Sequence, residues 1–192
     1  MTISGASPKQ GRDYIYLAIF SIQLCAILLV DLPPLYPSHL WEPEASPLHI
    51  LLGLRGLYAK WTNDPYFVTP HAELPPWFRL FTFIEAGFQL PMVLWMFRVF
   101  EDARRGTTPR FELACVVFGV QVALTTLVCV WDVAFWDPIV YSVRDKTMFV
   151  FAIYGPWVVI PGVLALDMGK RLLARIEEGE KYKAASEEKK SQ

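Results

Sequence analysis

Charge is scarce in this sequence. Asp, Glu, Lys and Arg make up 19% of its 192 residues, against about 25% in soluble globular domains. Neither sign dominates, since the net charge is −1, which excludes a nucleic-acid surface built on bulk basic charge. Cysteine is scarce too. Cys25, Cys115 and Cys129 sit inside apolar runs without a C-x-x-C spacing, so they read as small core hydrophobes and not as a redox or zinc motif. The histidines are only His39, His49 and His71. With no cysteines or clustered acids beside them, no metal centre and no cofactor is expected. There is no repeated half and no chain of charges of the kind transporters carry.

What fills the sequence is apolar. Hydrophobic residues make up 54% and aromatics 15%. Four runs are long enough to cross a bilayer, which takes about 20 residues: Tyr14–Leu32, Phe78–Phe100, Phe111–Trp136 and Thr147–Met168. The first ends in Asp31 and a proline cluster, not in a small-residue cleavage site, so it is a retained helix and not a secretory signal. Residues 33–77 hold nine prolines. Within them Leu48–Trp61 is proline-free with near-helical apolar spacing, as in a short amphipathic or membrane-dipping helix. The expected fold class is therefore an all-α membrane protein. It is a four-helix transmembrane bundle with a short lumenal helix/loop segment between helices 1 and 2. The expected divisions are a cytoplasmic tail (1–13), a transmembrane domain (14–170) and a charged cytoplasmic tail (171–192) that continues the fourth helix and then frays.

Lysine and arginine set the orientation. Thirteen lie on the side of the two termini and five on the other, so the positive-inside rule puts both termini in the cytoplasm. The proline-rich segment then faces the lumen. In this topology Asp31 sits at the lumenal end of span one, and Glu85 lies roughly 12 Å into span two. Asp132 lies near the lumenal end of span three, and Tyr154 about as deep in span four as Glu85 in span two.

Glu85 stands out. A carboxyl in the membrane core is expensive, roughly 2.5–3.5 kcal/mol for an acid near the centre, and such residues face a cavity or a partner. Gln89 lies four residues on, on the same helix face. Both also fit interhelical packing. Pro91, Pro156 and Pro161 either widen a cavity or merely kink their helices. Asp64 precedes a proline, which also fits a turn or a cap.

The string Asp31-Leu-Pro-Pro-Leu-Tyr-Pro37, then Tyr58-Ala-Lys60, Asp64-Pro65, Pro75-Pro-Trp-Phe78, Glu85, Phe88-Gln-Leu-Pro91, Tyr154-Gly-Pro156 and Ile160-Pro161, resembles the sigma-2 receptors. These belong to the EXPERA-domain membrane family, whose relatives include the emopamil-binding-protein sterol isomerases. The resemblance covers about residues 14–170. It implies four transmembrane helices, a homodimer, endoplasmic-reticulum residence and a pocket for a sterol, another lipid or a cationic amphiphilic amine. By the same resemblance Asp31 is the acid that pairs with a cationic ligand. Glu85 is the protonated acid that hydrogen-bonds to it, and Phe78, Phe81 and Tyr154 are pocket aromatics. Gln89 is a polar pocket group, and Asp64 an acid important for ligand binding. Gln23 stands where the family has a pocket histidine, and the segment from Asp64 to Pro75 is longer here.

Two function classes follow. The first is an intramembrane sterol- or lipid-binding, receptor-like protein that regulates sterol homeostasis or trafficking, with a purely structural or chaperone-like role beside it. The second is a sterol double-bond isomerase, which needs a positioned acid, a base and a group that stabilises a carbocation. The resemblance implies a histidine one turn before the span-two acid and a glutamate inside span three for that chemistry. Here Phe81 holds the first position, and span three offers Gln121, Thr125 and Thr126 at depth. A non-enzyme is the expectation. The C-terminal Lys189-Lys190-Ser191-Gln192 resembles the dilysine retrieval signal of endoplasmic-reticulum membrane proteins.

Overall fold

The computed structural model describes residues 10–102 and 106–190. Residues 1–9 of the N-terminal tail, Arg104, Arg105 and the last two residues of the dilysine tail lie outside the described residues, and Gly11–Asp13, expected in the tail, begin the first helix. All regular structure among the described residues is helical. Four helices are long and apolar enough to cross a membrane: Gly11–Asp31, Pro76–Glu101, Pro109–Val133 and Val143–Lys190. The chain divides into two compact units, Gly11–Glu101 and the part from Asp102 onward.

In the first unit Tyr16, Phe20 and Ile27 of the first span are buried, as are Met92, Val93, Met96 and Phe100 of the second. The Tyr16 and Phe100 rings lie 5.7 Å apart. The outward residues are also apolar, Ile15, Ile22, Leu80 and Phe83 among them. This is the pattern of helices whose solvent is hydrocarbon.

The segment joining these spans contains the helix Ile50–Thr62. Asn63, at φ 53°, ends it in the left-handed conformation and donates its N–H to the Ala59 carbonyl, a stop that asparagine tolerates well. Ile50, Leu54, Leu57 and Trp61 form its exposed face, at helical spacing. Leu51 and Thr62 are buried, and Arg55 and Tyr58 are half-buried.

In the second unit Thr108 caps the third span by accepting from the Phe111 N–H, with Pro109 in the first turn, where its missing N–H costs nothing. Ser142 and Asp145 form a capping box at the start of the fourth. The spans meet at Gly119, where an added Cβ would lie 2.3 Å from the Pro161 carbonyl oxygen and 2.9 Å from the Ala165 Cβ. Only glycine allows that approach. At one end of this pair Glu112 is fully buried. It accepts from Thr107 Oγ1 at 2.6 Å and from Arg175 Nε and Nη2 at 3.0 Å each. The fourth helix runs unbroken to Lys190, so the charged tail does not fray within the described residues. Its 48 residues would extend about 72 Å, more than twice the hydrocarbon thickness of about 30 Å.

Three spans contain one wide, π-helical turn each: Ile27–Asp31, Glu85–Gln89 and Phe149–Tyr154. A proline stands two residues after each turn, at Pro33, Pro91 and Pro156. The cause is local. Proline has no N–H to offer and its ring crowds the carbonyl four residues back. Widening the turn lets an earlier carbonyl reach a donor five residues on, as Ile27 does with the Leu32 N–H and Glu85 with the Leu90 N–H. In the third case Gly155 is needed, because a Cβ there would sit 2.5 Å from the Val150 carbonyl oxygen. Such turns occur frequently at functional sites.

Candidate ligand site

The wide turns carry the polar residues. Asp31 closes the first, Glu85 opens the second and Gln89 closes it. The side chains of Asp31 and Glu85 hydrogen-bond to each other. Two carboxyls can do so only when at least one of them is protonated, since an ionised carboxylate has no donor. Both residues are half-buried. Gln89 is buried.

The backbone beyond Asp31 explains what else is drawn in. Pro33 and Pro34 cannot serve the last carbonyls of the first span. The hydroxyl of Tyr36 donates to the Leu28 carbonyl at 2.8 Å. Arg55 Nη1, from the short helix, donates to the Val30 carbonyl at 2.7 Å. A cation at a helix C-terminus also meets the negative end of the helix dipole. The guanidinium further lies over the Phe67 ring, 4.8 Å from its centroid, a cation–π geometry. Burial lowers the Arg55 pKa, and the Asp31 and Asp64 carboxylates push it back up.

Asp64 is fully buried, and both of its carboxyl oxygens are engaged. Oδ1 accepts from the Tyr66 N–H at 3.0 Å and caps the Pro65–Val68 helix. Oδ2 accepts from the Tyr58 hydroxyl at 3.0 Å. Burial, and then the charge of Asp64, push the Tyr58 phenol up. The cap fixes Tyr66, whose ring stacks on Phe78 at 4.2 Å and 13°. Trp77 meets Tyr66 edge-on at 5.7 Å and Phe81 at 5.5 Å. Asp64 thus positions the aromatic group that contains Phe78 and Phe81, through Tyr66.

The unit Gly11–Glu101 therefore holds Asp31, Asp64, Phe78, Phe81, Glu85 and Gln89. Tyr154 lies in the other unit. It is buried, with its ring 5.7 Å from that of Phe149. Gln23 is buried in the first span, and its Oε1 accepts no hydrogen bond among the described residues. Lys189 and Lys190 are exposed on the last helical turn.

Sequence reasoning missed Arg55, Tyr58 and Tyr66 as parts of this site. The signal for the first two was there. Arg55 and Tyr58 are three residues apart and share the inner face of the short helix, and Pro33-Pro34 announces carbonyls that need an outside donor.

The model of the EXPERA (EXPanded EBP superfamily) family matches residues 50–168. The chain belongs to the EXPERA family. It is 30% identical over 162 residues to "Efficient mitochondria targeting-associated protein 19" of Schizosaccharomyces pombe, covering 84% of this chain and 76% of that protein. It is 27% identical over 162 residues to "Sigma intracellular receptor 2" of Xenopus tropicalis, covering 81% of this chain and 86% of that protein. With four spanning helices and this family, the chain is a multi-pass membrane protein. The resemblance read from Asp31, Glu85, Tyr154 and their flanking prolines is thus the right family.

Proposed function

We propose that this EXPERA protein is a non-enzymatic, receptor-like binder of a sterol or another lipid within the membrane, acting in sterol homeostasis or trafficking. The observation that carries the reading is the hydrogen-bonded Asp31–Glu85 pair, set at two wide turns. A carboxyl pair kept only to fix helix packing has no need of turns that part the backbone around it. The pair offers one acceptor site to a hydroxyl or a cationic head, and Phe78 and Phe81 offer flat faces to the ligand body. Sigma-2-type ligands, cationic amphiphilic amines, fit the same chemistry, and Gln89 completes the proposed contacts within this unit. Likeness to a protein named as a sigma intracellular receptor supports this reading.

The protein resides in the endoplasmic-reticulum membrane with both termini cytoplasmic, as the charge bias and the C-terminal lysines support. It works as a homodimer, which cross-linking in the membrane reads directly; a monomer at all concentrations contradicts that part.

The competing reading is a sterol double-bond isomerase of the same family. Its chemistry needs an acid and a base near the ligand. In the third span Glu112 is committed to Thr107 and Arg175, and Asp132 accepts from the Trp136 indole at 2.9 Å. Those commitments favour the binder. Mass spectrometry of lipids that co-purify with the protein tests the reading. A sterol or sterol-like lipid retained by the wild type and lost from Glu85→Ala is expected. Equal retention by both proteins contradicts it. Conversion of a ring-unsaturated sterol by the purified protein establishes the isomerase instead.

A further inference from the structure

We propose that Arg55 is a built-in counter-cation that weakens this site's preference for cationic lipids over neutral, hydroxyl-bearing ones. The inference rests on the ligand-site reading above and adds what selects among ligands.

Arg55 enters the site for a backbone reason. Its bond to the Val30 carbonyl, at 2.7 Å, fills a position left open by Pro33 and Pro34, one residue before Asp31. On the same helix face one turn later, Tyr58 is bound to Asp64. The short helix therefore spans both acids, with its guanidinium fixed among them by a carbonyl on one side and the Phe67 ring on the other.

The charges can be counted. Asp31 and Glu85 carry at most one negative charge between them, because their hydrogen bond takes a proton. Asp64 carries another, and Arg55 cancels one. Arg55 thus leaves the group one unit less negative than it would otherwise be. An amine must bring its cation close to Arg55, whereas an alcohol of the same shape pays no such repulsion. Coulomb's law at the effective dielectric of such a site makes that repulsion large enough to shift the ratio of the two measurably.

The test uses a matched pair of probes: one rigid steroid-like ring system bearing a primary amine, and the same ring system bearing a hydroxyl. Both are bound to the full-length protein in detergent, as wild type, Arg55→Gln, Arg55→Lys and Asp31→Asn. Glutamine keeps a donor for the Val30 carbonyl and drops the charge; lysine keeps the charge and drops the fork. The readout is the amine-to-alcohol affinity ratio within one preparation, which cancels any loss of folded protein. The ratio rises on the order of tenfold or more in Arg55→Gln and stays at the wild-type value in Arg55→Lys. An unchanged ratio in Arg55→Gln, or an equal rise in Arg55→Lys, overturns the inference. If Asp31→Asn still weakens amine binding in that case, the ligand-site reading survives. If Asp31→Asn weakens neither probe, that reading fails and the inference falls with it.

Discussion

Arg55 Nη1 donates to the carbonyl of Val30 at 2.7 Å. This one bond ties the segment between the first two spans to the end of the first, beside Asp31. It follows from two prolines that cannot satisfy the last turn of that span. The same residue type that opens the helix thus recruits the charge beside it.

Asp64 acts on the site as a cap. Asp64→Asn keeps an acceptor for the Tyr66 N–H, and its amide faces a hydroxyl that can accept. Asp64→Ala loses both contacts. We expect the alanine variant to lose about 1–2 kcal/mol of stability and the asparagine variant clearly less, measured by thermal unfolding. Equal losses would mean that the charge, and not the cap, holds Tyr66 against Phe78.

Gly119 closes the second unit. Gly119→Ala puts a methyl group against the Pro161 backbone, which cannot swing aside as a side chain can. The expected cost is about 1–3 kcal/mol, read by thermal or denaturant unfolding. A wild-type melting temperature would show that the two helices part freely there.

His71 gives the unit Gly11–Glu101 a pH dependence. Burial first, and then the charges of Arg55 and Arg79, hold its pKa below the usual histidine value. The unfolded chain then binds more protons as pH falls through about 6.5. Stability is therefore complete above that pH and declines below it. Unfolding of wild type and His71→Asn between pH 7.5 and 5.5 checks this, with a shallower decline expected in the variant. Identical slopes would remove His71 from the account.

Much of this was legible in the sequence. The four apolar runs are the four spans, because in a membrane both inner and outer faces are apolar and run length alone marks the helix. The proline-free stretch Leu48–Trp61 is the helix Ile50–Thr62, since its spacing was helical. Asp64 was open between a site acid and a cap; one of its oxygens caps the Pro65–Val68 helix and the other accepts from the Tyr58 hydroxyl. The prolines were harder to read. Pro91 and Pro156 promised a kink or a cavity; what they accompany is a wide turn that ends two residues earlier. That outcome depends on which donors the neighbouring carbonyls can reach. Arg55 counted only as one more lysine or arginine in the topology, because its partner lies 25 residues away and no periodicity within one helix reveals it.

The C-terminal lysines address location. Lys189 and Lys190 are exposed, and a retrieval signal must be both exposed and cytoplasmic. Changing both to serine should let part of the protein reach later compartments, seen by fractionation or microscopy. An unchanged distribution would leave the pair as an ordinary basic tail.

The central claim is that Asp31 and Glu85 receive the ligand. Removing the charge of Asp31 leaves a bound cation unpaired at a cost of about 3–5 kcal/mol, so Asp31→Asn should weaken an amine ligand by about two orders of magnitude or more. A neutral sterol should lose much less. Glu85→Gln, which keeps a donor to Asp31, should cost clearly less than Glu85→Ala. The direct measurement is the affinity of one cationic amphiphile and one neutral sterol for wild type and Asp31→Asn. The account predicts a large loss confined mainly to the cation; binding of both ligands at wild-type strength would contradict it and place the ligand elsewhere.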